Sequence, residues 1–182
     1  MSILTLGDLF FVDGGSLLSR AINFFQRLKS ADWESTFSHV GLVLDCNGTI
    51  FHAAKKEICR ENLFQVYPSM ECAIVRPRAS VSAIRSAVGE IMRYEGEVYP
   101  YFRLFLHLIG LARFIHWRNT MVCSELVARF LYYLGIRHRY WFGTTVDQLW
   151  DELCHHRDFD TVFQGNTADL RARVPFVGSE DC

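Results

Sequence analysis

Cys123, His39 and His52 are the residues of this 182-residue chain whose types and positions could carry out covalent chemistry together. A thiol nucleophile needs a lowered pKa, a nearby imidazole and donors for an oxyanion. The start of a helix serves the first and third needs, because its free N–H groups and positive dipole end favour thiolate and face developing negative charge. A free cysteine titrates at about 8.5, so thiolate at neutral pH requires a downward shift of roughly two units. Among the six cysteines, Cys123 alone stands where a loop (Arg118-Asn119-Thr120) turns into a strongly amphipathic run, CSELVARFLYYL. Cys46 falls in a turn, Cys59 and Cys72 in strand-like runs, and Cys154 and Cys182 toward a polar end. With no CxxC pair, the set suits reduced thiols better than a structural zinc site.

The two histidines sit on one expected hairpin. SHVGLVL (Ser38 to Leu44) and TIFHA (Thr49 to Ala53) flank Asp45-Cys46-Asn47-Gly48, where Asn-Gly supplies the positive-φ turn. Counted about that turn, His39 and His52 fall roughly opposite each other and share a face. One can then hydrogen-bond the second ring nitrogen of the other and fix its tautomer. A lone cysteine or histidine in such a place is more often packing than chemistry; all three in this arrangement argue for a reactive set. His107, His116, His138, His155 and His156 lack comparable placement. Cys123, His39 and His52 could also present three zinc ligands, although no fourth ligand has matching spacing.

The elements that must position these residues follow from pattern. Leu6 to Val12 reads as a buried strand, and Ser16 can cap a helix to about Lys29. Residues 57–60 extend the sheet, and CAIVR before Pro77 is a further strand. Ser80 or Ser82 starts a helix to about Tyr94, and Gly96 to Pro100 breaks the chain. Tyr101 to Ile115 is apolar and helical in pattern; the Cys123 helix stops at Gly135. Thr145 with Gln148 forms a capping box before another short helix, and Asp158 to Phe163 is a last strand. Residues 1–164 thus read as one catalytic domain of α+β class, with 165–182 a polar, loose tail.

Composition narrows the function. A formal net charge of -1, with no basic stripe, removes the electrostatic case for nucleic acid. Half the residues are hydrophobic, which argues against disorder. The N-terminus lacks a charged n-region and carries Asp8 in its apolar run, so it does not read as a secretory signal. The run from Tyr101 to Ile115 contains Arg103, His107 and Arg113 and is too short to span a bilayer. The expectation is a cytoplasmic protein, or one exported by a route without such a leader.

LGDLFFV, SHVGLVL and NGTIFHA resemble the stretch of the NlpC/P60 papain-like superfamily that bears the catalytic histidine and its polar partner. There the cysteine helix normally comes first. Here the matching segment, VCSELVARFLYYLG, comes last, an order similar to the circularly permuted branch of YiiX-like bacterial proteins, poxvirus relatives and lecithin:retinol acyltransferase-like enzymes. The resemblance covers roughly residues 5–54 and 96–150. It implies a permuted papain-like fold, an antiparallel sheet packed against helices with the nucleophile at a helix N-terminus. It assigns Cys123 as nucleophile, His39 as general base and acid, and His52 as the residue orienting His39. Gly96-Glu97-Val98-Tyr99 resembles the GxxY element ahead of the nucleophile helix, so Tyr99 becomes a candidate for substrate or oxyanion, although Pro100 follows where YiiX-like proteins often have Asp. Ser124 and Glu125 complete the CSEL run, with Glu125 supporting the helix start or orienting a neighbour.

The implied activity is thiolate attack on an acyl carbonyl through a thioester, without metal or cofactor. The expected enzyme is a cysteine hydrolase of amidase or peptidase type. A lipid acyltransferase or phospholipase is the alternative, with peripheral membrane contact through Tyr101 to Ile115 if that run is not a core helix. An inactive binding module on the same fold is the alternative of another class.

Overall fold

The computed structural model describes residues 3–14, 36–54, 57–98, 122–137 and 144–174. Six strands form one antiparallel sheet: β1 (Leu9–Val12), β2 (His39–Val43), β3 (Thr49–Ala54), β4 (Glu57–Asn62), β5 (Glu71–Pro77) and β6 (Phe159–Asn166). Their spatial order is β4-β3-β2-β1-β5-β6. Five helices are described: α1 (Leu63–Val66), α2 (Val81–Met92), α3 (Cys123–Tyr133), α4 (Val146–Cys154) and α5 (Thr167–Arg173). The class is α+β, as the pattern predicts.

Strand alternation sends side chains to two cores. Leu9, Phe11, Val40, Leu42, Phe51 and Ala53 pack with Ile84 and Ile91 of α2, Leu126 and Phe130 of α3, and Leu149 of α4. Phe10, Val12, Val43, Ile50 and Ile74 pack on the other face with Leu63 of α1 and Leu170 of α5. A period of two residues per strand makes this division automatic.

The expected hairpin is present. Gly48 takes a φ of +84°, and a Cβ there would meet the Phe64 ring at 2.6 Å. Asp45 Oδ1 accepts the N–H groups of Asn47 and Thr49, each at 2.9 Å, so the turn carries its own side-chain brace. Ser80 caps α2 by accepting from Ala83 N–H at 3.2 Å, and the Thr145/Gln148 box forms at α4. Gly135, at φ +78°, follows the end of α3.

One expectation fails at the C-terminal side. The segment from Gly165, read as a loose tail, instead completes β6 and forms α5, ordered through Val174. Asn166 caps α5, Leu170 is fully buried, and Thr167 Oγ1 donates to the Tyr67 carbonyl at 2.5 Å while accepting Met70 N–H. A polar sequence hid one buried apolar residue and one buried hydroxyl, and those two suffice to dock a short helix. The expected helix from Ser16, the run from Tyr101 to Ile115 and Tyr99 lie outside the described residues.

A buried ion pair ties the sheet to the N-terminal segment. Arg76 grips Asp8 with two parallel bonds of 2.8 Å, and Asp8 also accepts from Thr5 N–H and Thr5 Oγ1. Among the described residues no helix is long and apolar enough to cross a membrane.

Candidate functional site

His39 opens β2 and His52 lies late in β3, on the sheet face that carries Phe10. Their relation differs from the sequence expectation. The β2–β3 register pairs Leu42 with Phe51 and Val43 with Ile50, so by extension His52 falls beside Gly41, and His39 is its diagonal neighbour rather than its direct partner. The pairing is centred between Cys46 and Asn47, one residue later than a direct pairing of His39 with His52 needs. The diagonal still brings the rings together, because Gly41 has no side chain between them. A Cβ at Gly41 would lie 2.7 Å from His52 Cβ, 2.6 Å from Phe10 Cε1 and 2.8 Å from the Phe51 carbonyl oxygen. Gly41 therefore holds open the space the imidazole pair occupies.

His39 Nε2 and His52 Nδ1 are 2.9 Å apart. His52 Nε2 is 2.9 Å from Glu61 Oε2 on β4, one strand further out. The three side chains form a line across β2, β3 and β4. Glu61 decides the tautomers along it. A carboxylate accepts only, so His52 carries its proton on Nε2 and presents Nδ1 as an acceptor. His39 then carries its proton on Nε2 and keeps Nδ1 as a lone pair. Among the described residues His39 Nδ1 has no hydrogen-bond partner.

Tyr67 closes the back of the pair. Its hydroxyl is 3.4 Å from His52 Nδ1, and its ring lies 5.7 Å from that of His39. Phe10, Tyr67 and the two imidazoles make an aromatic nest in which His52 is fully buried and His39 is partly exposed at the edge. Burial accordingly pushes His39 well below the ordinary 6.5, with the His52 charge adding to the effect. His52 is lowered by burial too, with Glu61 opposing through its hydrogen bond and charge. Both rings are neutral at physiological pH. The Tyr67 phenol is raised by burial first, then by electrostatic interaction with the ionised forms of Cys123, Glu61 and Cys59, which puts it within electrostatic reach of the Cys123 sulfur.

Cys123 is the first residue of α3, at the place where β2 and β3 part. Leu44 N–H donates to the Thr49 carbonyl on β3 at 2.7 Å. Alternation aims Val40 N–H the same way, but pairing has ended after Leu42, and Val40 donates instead to the Cys123 sulfur. The amides of Cys123 and Ser124 at the helix start also donate to it. Burial nevertheless wins. It raises the thiol to about 11 against those three N–H donors, with Glu125 adding to the rise. The thiol of the free protein is thus held protonated. The helix-start argument for a lowered pKa does not hold in the resting state, because Cys123 is only 5% exposed.

The remaining sequence candidates have structural partners. Ser124 Oγ donates to the Thr144 carbonyl at 2.6 Å, tying α3 to the start of α4. Glu125 is buried and accepts from Val122 N–H at 3.4 Å. Glu61, Tyr67 and Gly41 escaped sequence reading. The alternation of Glu57, Cys59 and Glu61 on a strand following His52 was the available signal for Glu61.

A three-ligand set of Cys123, His39 and His52 does not assemble among the described residues. The group that brings potential ligand atoms within 4.8 Å of one another is His52, Cys59 and Glu61. Among the described residues the free thiols are Cys59, Cys72, Cys123 and Cys154; Cys46 is not among them, which departs from the fully reduced reading.

No protein-family model and no curated protein sequence matches the chain. Among solved structures it is similar to the crystal structure of metalloprotein YiiX from Escherichia coli O157:H7, with a TM-score of 0.53 at 23% identity, over 73% of this chain and 68% of that one. The fold is YiiX-like, in agreement with the resemblance carried by the sequence motifs.

Proposed function

We propose that the chain is a cysteine hydrolase that cleaves an amide or acyl bond through a thioester on Cys123, in a permuted NlpC/P60 arrangement. The observation that carries this reading is the line Glu61–His52–His39, which leaves a lone pair on His39 Nδ1 beside the strand whose Val40 N–H holds the Cys123 sulfur. In the reaction His39 Nδ1 takes the thiol proton as sulfur adds to the carbonyl carbon. Imidazolium forms next to His52, whose proton on Nε2 remains held by Glu61, so positive charge appears where a carboxylate can offset it. The helix-start amides face the oxyanion. His39 then protonates the departing nitrogen or oxygen, leaving a thioester. Water, deprotonated by His39, attacks the thioester and returns the thiol. The lowered basicity of His39 helps it release the proton to the leaving group, while the step that takes the proton from the raised Cys123 thiol is the uphill one.

Alkylation tests the reading. The full chain is treated with iodoacetamide at neutral pH, and each free thiol is followed by peptide mass spectrometry. Cys123 should label ahead of Cys59 and Cys154 despite its burial, and the lead should vanish in His39→Ala. With p-nitrophenyl acetate, an acetyl adduct should appear on Cys123 and decay with time. Labelling of Cys123 no faster than of Cys59, unchanged by His39→Ala, would replace the hydrolase with a binding module on the same fold.

A further inference from the structure

Cys59 stands outside the catalytic line yet lies against its middle. It pairs directly with His52 across β3 and β4, and Glu61 follows two residues later on the same face. We propose that His52 Nε2, Cys59 Sγ and the Glu61 carboxylate form a site for a zinc-type divalent cation, and that its occupancy disables His39 as a base. The site stands on geometry alone; its effect on chemistry rests on the hydrolase reading above.

The donor set is one nitrogen, one sulfur and one oxygen, the mixture that borderline-soft cations prefer over magnesium or calcium. Metal–ligand bonds of about 2.0–2.3 Å place tetrahedral ligand atoms roughly 3–4 Å apart. The three atoms here already lie within 4.8 Å of one another, so side-chain rotations suffice. The surroundings favour a cation, since Glu57 and Glu61 flank Cys59 at two-residue spacing on one face of β4. Arg60 does not supply that cation; it bonds Glu95 at 2.6 Å. Entry is open, because Cys59 is half-buried and Glu61 is 42% exposed, whereas His52 is fully buried and fixed. Water would complete the coordination.

The consequence follows from proton positions. Binding releases the Cys59 proton to solvent and requires a lone pair on His52 Nε2. Neutral His52 must then carry its proton on Nδ1, the reverse of the tautomer that Glu61 imposes in the metal-free protein. His52 Nδ1–H donates to His39 Nε2, so His39 in turn carries its proton on Nδ1. That nitrogen can no longer accept from Cys123. One cation at the outer edge of the line therefore reverses both imidazoles and removes the base, without touching the thiol.

Cobalt(II) is the probe for the site, because a thiolate ligand adds a charge-transfer band. The full chain, Cys59→Ser and Glu61→Gln are titrated with cobalt(II), and Cys123 alkylation by iodoacetamide is timed with and without zinc. The natural sequence should give the band with one equivalent, Cys59→Ser should lose it, and Glu61→Gln should weaken binding by at least about tenfold. Zinc should slow Cys123 alkylation by at least about tenfold in the natural sequence, and that ratio should collapse in Cys59→Ser. Absence of a band, or a band that survives Cys59→Ser, overturns the site. Equal slowing by zinc in both proteins would put the metal on Cys123 itself and overturn the switch. If Cys123 is unreactive without zinc while the cobalt band forms as expected, the hydrolase reading fails and the metal site stands.

Discussion

Two polar networks cross the same sheet and are built on opposite principles. Asp8 and Arg76 meet in a two-bond fork, and both carboxylate oxygens also accept from Thr5, so the lone pairs of Asp8 are filled. The line from Glu61 through His52 to His39 is filled at its outer end and unfilled at its inner one. A saturated buried network can only hold. A network with one unused lone pair, and with every other proton assigned, can transfer a proton in a defined direction. On the proposed function, the contrast separates a group that stabilises the fold from one that would serve a reaction.

The largest test of that contrast is kinetic. Glu61→Gln replaces an acceptor with an amide that can donate to His52 Nε2, and so permits the wrong tautomer. Cys123 alkylation should slow by on the order of 10²-fold or more, while thermal unfolding moves little because Glu61 is 42% exposed. Equal rates in the two proteins would mean that the tautomers are set elsewhere.

Asp8→Ala should behave in the reverse way. It strands Arg76 and the Thr5 amide, at a cost of about 3 kcal/mol, the lower end for a broken buried pair because Arg76 is 30% exposed and can rehydrate. Denaturant unfolding measures the loss, and Cys123 alkylation below the transition should match that of the natural sequence. A large rate change would join the two networks.

Gly41→Ala sits between them. The added methyl meets His52, Phe10 and the Phe51 carbonyl oxygen inside contact distance, and overpacking of this kind costs roughly 1–3 kcal/mol. Because it also drives His52 from His39, stability and alkylation should fall together. A loss of stability with no change in alkylation would show that the diagonal approach of the rings is unimportant.

The smallest expected effect is on pH dependence. His39 and His52 are both held below 6.5 in the folded chain. Between those depressed values and 6.5 the unfolded chain binds more protons, so stability is complete above 6.5 and declines as pH falls below it. Replacing His39 with Gln should flatten that decline in urea unfolding between pH 7 and pH 5. The alkylation rate should persist below pH 6.5 for the same reason, until His39 itself is protonated. A rate that halves at 6.5 would indicate an ordinary, solvated histidine.

Most of the scaffold was readable in the chain. Strand alternation, Asn-Gly at the hairpin, Ser80 and the Thr145/Gln148 box are local signals, and local signals decide elements. The placement of Cys123 at a helix start and of both histidines on one hairpin came from the same source. The tail was misread because Leu170 and Thr167 have value only against partners far away in sequence, such as Tyr67.

What the sequence by itself determined was which residues could react and which elements carry them. Tertiary structure decided how they are arranged. The diagonal rather than direct pairing of His39 with His52, the need for Gly41 between them and the reach of Glu61 from a third strand all depend on register. Register is settled by the packing of two faces at once rather than by any one segment. Burial also reversed the expected thiol: Cys123 stands where helix geometry favours thiolate, yet the surrounding core raises it to about 11. Dipole and amide effects belong to the local chain, whereas desolvation belongs to everything packed around it.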